Sequence, residues 1–232
     1  MIERRNAADR GHAHHGWLES WHSFSFADYY DAKHTRFGSL RVINDDTVAG
    51  GGGFAPHPHR DMEIISYVLS GALAHKDSMG NGSTIRRGDI QRMSAGTGVV
   101  HSEYNASGSE PVKFLQIWIT PERQGLTPGY EQKHVSDDDK RGRLIAIASR
   151  EASETGITIN QDVRIYAGLF DGEEQWRQPL QRQRQYYLHV ANGVIIANGE
   201  RLQKGDALKL IEESELRLAD GQQAEVLLFD LA

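Results

Sequence analysis

The 232-residue sequence contains no cysteine, which excludes disulfides, thiolate nucleophiles, iron–sulfur clusters and zinc sites of the finger type. Any metal must sit on nitrogen and oxygen. No apolar run approaches the roughly 18–20 residues of a membrane span, and the segment Met1 to Arg10 lacks the apolar core of a secretion signal. The expectation is a soluble cytoplasmic protein with no membrane partner. An excess of basic charge is missing too: 26 Lys plus Arg stand against 32 Asp plus Glu, a net charge of −6. With no basic run either, nucleic acid is not expected as a direct partner. A long helical period is also absent. Asp28 to Ala32 and Asp137 to Lys140 have some helical character, but they are too short to define an α-class fold.

Short apolar or alternating runs fill the chain instead: Ser39 to Val42, Ile64 to Leu69, Val112 to Thr120, Arg143 to Ala148 and Glu225 to Leu231. Asn81-Gly82, Asp171-Gly172, Asn192-Gly193, Asn198-Gly199 and Asp220-Gly221 supply dipeptides that tolerate the positive φ of tight hairpins. Regular short strands with turn signals predict an all-β barrel or sandwich class. An approximate internal repeat sets Leu69-Ser70-Gly71 against Ala191-Asn192-Gly193, and Arg87-Gly88-Asp89 against Lys204-Gly205-Asp206. The chain therefore reads as two copies of one barrel. The boundary falls where a loop with Pro121, Gly125, Pro128 and Gly129 gives way to Asp137-Asp138-Asp139, giving domains 1–134 and 135–232.

Histidine is unevenly spread: of 11, only His134 and His189 lie beyond His101. His12, His14 and His15 read as a solvated N-terminal segment, and His75 as a packed or exposed strand residue. In His57-Pro58-His59 two imidazoles flank one residue, and on a strand such neighbours share a face about 6–7 Å apart. His101-Ser102-Glu103 repeats the spacing with an imidazole and a carboxylate, so two facing strands could converge four N/O ligands. Counted through the repeat, the second copy holds Pro179, Gln181 and Leu218 at the places of His57, His59 and His101. Pro58 cannot donate to a β-ladder and predicts a strand end or edge. Phe114, Gln116 and Trp118 share one strand face and Leu115, Ile117 and Ile119 the other; alternation alone does not say which faces the interior.

Gly51-x5-His57-x-His59-x3-Glu63, ending in Gly71, resembles the first cupin motif, and Gly88-x5-Ser94-x-Gly96-x4-His101-x3-Asn105 resembles the second. The run Pro56-His57-Pro58-His59-Arg60, followed by Gly88 to Gly98 and His101-Ser102-Glu103, is similar to the pirin family. Trp21 to Tyr30 and Leu40 to Asp46 look like bacterial pirins of the quercetinase-active kind. The resemblance implies two cupin barrels in one chain. It also implies a divalent metal on His57, His59, His101 and Glu103, with Fe(II) first and Ni(II), Mn(II), Co(II) or Zn(II) as alternatives. The general cupin pattern would take its carboxylate from Glu63. The pirin pattern takes it from Glu103, which strand geometry keeps on the face of His101. The implied activity is dioxygenolytic cleavage of a flavonol such as quercetin with release of carbon monoxide, Glu103 accepting the substrate proton. The alternative it implies is a metal-dependent, protein-binding regulator.

Overall fold

A computed structural model describes residues 1–232. The strands in chain order are β1 (Ile2–Arg5), β2 (Gly11–His14), β3 (Leu18–His22), β4 (Leu40–Val48), β5 (Gly53–His59), β6 (Glu63–Ser70) and β7 (Ala72–Asp77). They continue through β8 (Gly82–Arg86), β9 (Asp89–Ser94), β10 (Val99–Asn105), β11 (Val112–Ile119), β12 (Gly129–His134), β13 (Ile145–Ser149) and β14 (Ile157–Thr158). The last six are β15 (Val163–Phe170), β16 (Trp176–Pro179), β17 (Gln185–Ala197), β18 (Glu200–Gln203), β19 (Ala207–Ile211) and β20 (Glu215–Leu231). The single α-helix, α1, is one turn at Asp137–Lys140, capped by Ser136, whose hydroxyl accepts from Asp139 N at 3.2 Å. The other stretch expected to have helical character is a tight turn, in which Phe26 and Tyr29 exchange backbone bonds and Ala27 adopts φ +47°. The fold is all-β, and no helix is long and apolar enough to cross a membrane.

The chain divides into two compact units, one of Gly11–His134 with Arg150–Gln161, the other of Met1–Arg10, Val135–Ser149 and Asp162–Ala232. The boundary read from sequence thus needs two exchanges, and both have a hydrogen-bonding cause. β1 pairs with β19 from Ile2↔Leu210 to Arg5↔Ala207, and Arg4 meets Asp206 at 2.7 Å. In the segment 150–161, Thr158 donates through N and Oγ1 to Glu131 at 2.8 and 2.6 Å. Asn160 donates through N and Nδ2 to Glu63 at 3.1 and 3.2 Å.

The first unit consists of an antiparallel sheet in the order β12-β9-β6-β11-β4-β3-β2 and a four-stranded sheet in the order β5-β10-β7-β8. Pro58 lies on β5, an edge strand, as its missing N–H requires. Phe114 packs in an apolar cluster with Leu18, Val48, Val68, Leu73, Ile85 and Val112. Ile64, Met93 and Val99 form a second cluster, against which Trp118 packs. The face carrying Phe114, Gln116 and Trp118 is therefore the interior one, and Leu115, Ile117 and Ile119 are buried on the opposite face. Within the sheet the pairing places His22, Asn44, Gln116, Ser66 and Gln91 in one cross-strand row. It is a polar belt among apolar residues.

The second unit has the strand order β1-β19-β17-β20-β15-β13, with β16 on β20 and β18 on β17. Its core is apolar, including Leu188, Val190, Ile195, Leu208, Val226 and Leu218. Pro179 and Gln181 are exposed. The Asn192-Gly193 pair does not close a hairpin but forms an irregularity inside β17, where the register against β20 shifts. Gly193 adopts φ +70°, and a Cβ there would lie 2.3 Å from Gln222 O.

Candidate metal centre

β5 and β10 run antiparallel with His101 directly opposite His57. Because side chains alternate along a strand, His59 joins them on the same face. The three rings form a compact triangle with centroid separations of 4.7 Å (His57–His59), 4.5 Å (His57–His101) and 4.9 Å (His59–His101). His57 donates through Nδ1 to its own strand at Ala55 O, 2.8 Å away, leaving Nε2 with a free lone pair. That Nε2 lies 3.1 Å from His101 Nε2. Two nitrogens bound at right angles to one ion, with bonds of about 2.1 Å, stand roughly 3 Å apart. Burial, reinforced by the neighbouring imidazoles, pushes His59 down to about 4 and His101 down to about 3. Both rings are thus neutral at physiological pH, the form in which imidazole ligates.

Glu103 lies on the same face of β10 and is buried, but the register against β5 shifts between His101 and Glu103. Its two oxygens accept from Ser66 Oγ at 2.9 Å and Gln116 Nε2 at 2.8 Å. The carboxylate groups with His101 and His75, while His57, His59 and His101 form their own group, each set within 4.8 Å. His101 is common to both. Burial pushes the Glu103 carboxyl up to about 7, against the two hydrogen bonds that lower it. His75 is buried and bonds through Nε2 to Asp77 Oδ2 at 3.1 Å. Glu63 accepts from Ser94 Oγ at 2.9 Å as well as from Asn160 and has Arg92 at 3.9 Å.

A cavity of about 830 Å3 opens over the histidines, within the roughly 300–1,000 Å3 of small-molecule sites. Trp118 stands edge-on to His59 at 5.1 Å and to Phe26 at 5.4 Å. Ser20, His22, Asn44 and Asp46, on the neighbouring strands β3 and β4 of the same sheet, also line it. His12 and His15 are exposed, as the sequence reading expects, and they also line this cavity, His12 stacking on Trp21 at 4.0 Å from strand β2. Asp46 escaped the sequence reading altogether. The available signal was Asn44-Asp45-Asp46, polar residues continuing an apolar strand.

A two-barrel all-β chain with a histidine triangle at the floor of a cavity in the first barrel is the architecture of a bicupin. The pirin family model matches residues 3–119, and a model described as the quercetinase C-terminal cupin domain matches residues 146–231. The chain belongs to the pirin family. It is similar to quercetin 2,3-dioxygenase of Escherichia coli (strain K12), 44% identical over 231 residues covering 100% of this chain and 99% of the relative. It is also similar to a pirin-like protein of Caulobacter vibrioides, 39% identical and covering 100% of both chains. The crystal structure of the bacterial pirin YhhW from Escherichia coli in complex with nickel(II) superposes with a TM-score of 0.94 at 42% identity, covering 100% of this chain and 99% of that one.

Proposed function

We propose that this chain is a metal-dependent dioxygenase that cleaves a flavonol such as quercetin, with His57, His59 and His101 holding one divalent ion and Glu103 as its carboxylate. The observation that carries this reading is the triangle of imidazoles lining a cavity that also carries Trp118 and Phe26. The donor set fits a divalent ion of intermediate hardness. Fe(II) is the first choice, and Ni(II), Mn(II), Co(II) or Zn(II) suit the same nitrogen and oxygen donors. When bound, the ion supplies Lewis acidity toward the flavonol oxygens and redox chemistry toward dioxygen. Trp118 and Phe26 offer the ring edges and faces that order a planar aromatic guest. Glu103, its two oxygens oriented by Ser66 and Gln116, is the acceptor of the 3-hydroxyl proton in this reading.

The test is elemental analysis of the purified protein followed by aerobic quercetin turnover, with carbon monoxide as the measured product. His59→Ala should lose both metal and turnover. Undiminished cleavage by the metal-free variant would overturn the reading. A metal-dependent, protein-binding regulator would use the same ligands, but it has no need of a cavity of this size over them.

A further inference from the structure

Beside Trp118 and Phe26, the cavity wall continues onto β3 and β4, where Ser20 pairs with Asp46 and His22 with Asn44. All four side chains are at least nine-tenths buried, at 3%, 3%, 4% and 3% exposure for Ser20, Asp46, His22 and Asn44. All four line the cavity. Ser20 Oγ donates to Asp46 Oδ1, and His22 Nε2 lies 2.8 Å from Ser20 Oγ. Asn44 Oδ1 is buried without a hydrogen-bond partner, and so is Oε1 of Gln116, its cross-strand neighbour. At pH 8, above the value of about 7 to which burial pushes the Asp46 carboxyl, these residues present a carboxylate and two amide oxygens, the latter lacking donors. Buried acceptors left unsatisfied are destabilising. A ligand that supplies hydroxyl donors removes that penalty, while an aromatic guest without them leaves it in place.

We propose that this wall, centred on Asp46 and Asn44, selects substrates by their peripheral hydroxyl groups, so that the site prefers polyhydroxylated planar aromatics over equally flat ones bearing only the reacting hydroxyl. Asp46, held by the Ser20 hydroxyl, accepts from one ring hydroxyl, and the Asn44 amide accepts from a second. The Trp118 and Phe26 rings are indifferent to these groups. The discrimination therefore comes from the polar residues beside them. The inference rests on the flavonol reading for the identity of the reacting group, but the recognition it describes can be measured without turnover.

The experiment compares quercetin with 3-hydroxyflavone, which carries the reacting hydroxyl alone. Tryptophan fluorescence quenching on metal-free protein at pH 8 gives the two Kd values, and aerobic turnover of metal-loaded protein gives the two kcat/KM values. Wild type should favour quercetin in both by 10- to 100-fold. Asp46→Asn should shrink that preference about tenfold with metal content retained. Asn44→Leu, which touches neither the carboxylate nor its serine, should shrink it as well and serves if the first variant fails to fold. Equal affinity of the wild type for the two flavonols, or an unchanged preference in a folded variant, overturns the proposal. Absent turnover with a preserved binding preference counts against the dioxygenase reading and for the hydroxyl-selecting wall.

Discussion

Glu63 offers the sharpest separation of structure from chemistry, because the general cupin pattern makes it a ligand while the structure surrounds it with protein donors. One oxygen, Oε2, takes Ser94 Oγ at 2.9 Å, Asn160 N at 3.1 Å and Asn160 Nδ2 at 3.2 Å, with Arg92 Nη1 at 3.9 Å. The side chain is 1% exposed. Glu63→Ala deletes the acceptor of three hydrogen bonds and leaves the buried Arg92 with Glu131, at 3.8 Å, as its remaining counter-charge. Breaking a buried pair from one side costs about 3–5 kcal/mol, and lost hydrogen bonds to a charged acceptor, at about 1.5–3 kcal/mol each before non-additivity, lead to the same range. For a chain of this size, a change of about 4 kcal/mol lowers the melting temperature by roughly 8–16 °C. Glu63→Gln keeps the volume and one acceptor oxygen and should lose about half as much. The assay is thermal and urea denaturation beside elemental analysis of the folded fraction. Unchanged melting in Glu63→Ala would refute the structural role. A folded variant that loses its metal while the three histidines stand would return Glu63 to the ligand set.

Three further outcomes follow from single sites. Trp118→Ala removes an edge-to-face partner at 5.1 Å from His59; it should raise the quercetin KM roughly tenfold, from about 1–1.5 kcal/mol of lost aromatic contact, while metal content by elemental analysis holds. Gly96→Ala places a Cβ 2.0 Å from Leu126 O at φ +45° and should destabilise by about 2–4 kcal/mol, read from the urea midpoint. His189 is fully buried and pushed down to about 3 by desolvation, helped by Arg10 and Lys204, so the unfolded chain binds a proton below about 6.5 that the folded chain refuses. The stability contributed by keeping this ring neutral is complete above about pH 6.5 and falls as the pH drops toward 3, by about 1.4 kcal/mol per pH unit. His189→Leu should flatten that slope in denaturation series between pH 5 and 7.

The histidine triangle was legible because its chemistry is written in local spacing: His57 and His59 alternate on one strand, and the second pair repeats the interval. The strands themselves followed from alternation and turn residues. Which face of β11 turned inward was not legible, since Gln116 and Trp118 look no more interior than Leu115 and Ile117 until the polar row from His22 to Gln91 is assembled across five strands. Glu103 was placed on the correct face, yet the register shift beside it and the donors Ser66 and Gln116 belong to pairings that no local pattern encodes. Asp46 and Ser20 are 26 residues apart in sequence and meet only through the ladder between β3 and β4. Residues 1–10 and 150–161 likewise go to units that composition could not indicate, because their partners lie far away along the chain.

The pairing of β1 with β19 sets an order in time. Ala207–Leu210 emerge about 200 residues after Ile2–Arg5, roughly 10–40 s later at 5–20 residues per second. Asn160 likewise reaches Glu63 only after Gly11–His134 have been made. During that interval β1 lacks its partner and a buried acid waits for its donors, so a nascent chain arrested near residue 134 holds every proposed metal ligand while still missing contacts of its own barrel.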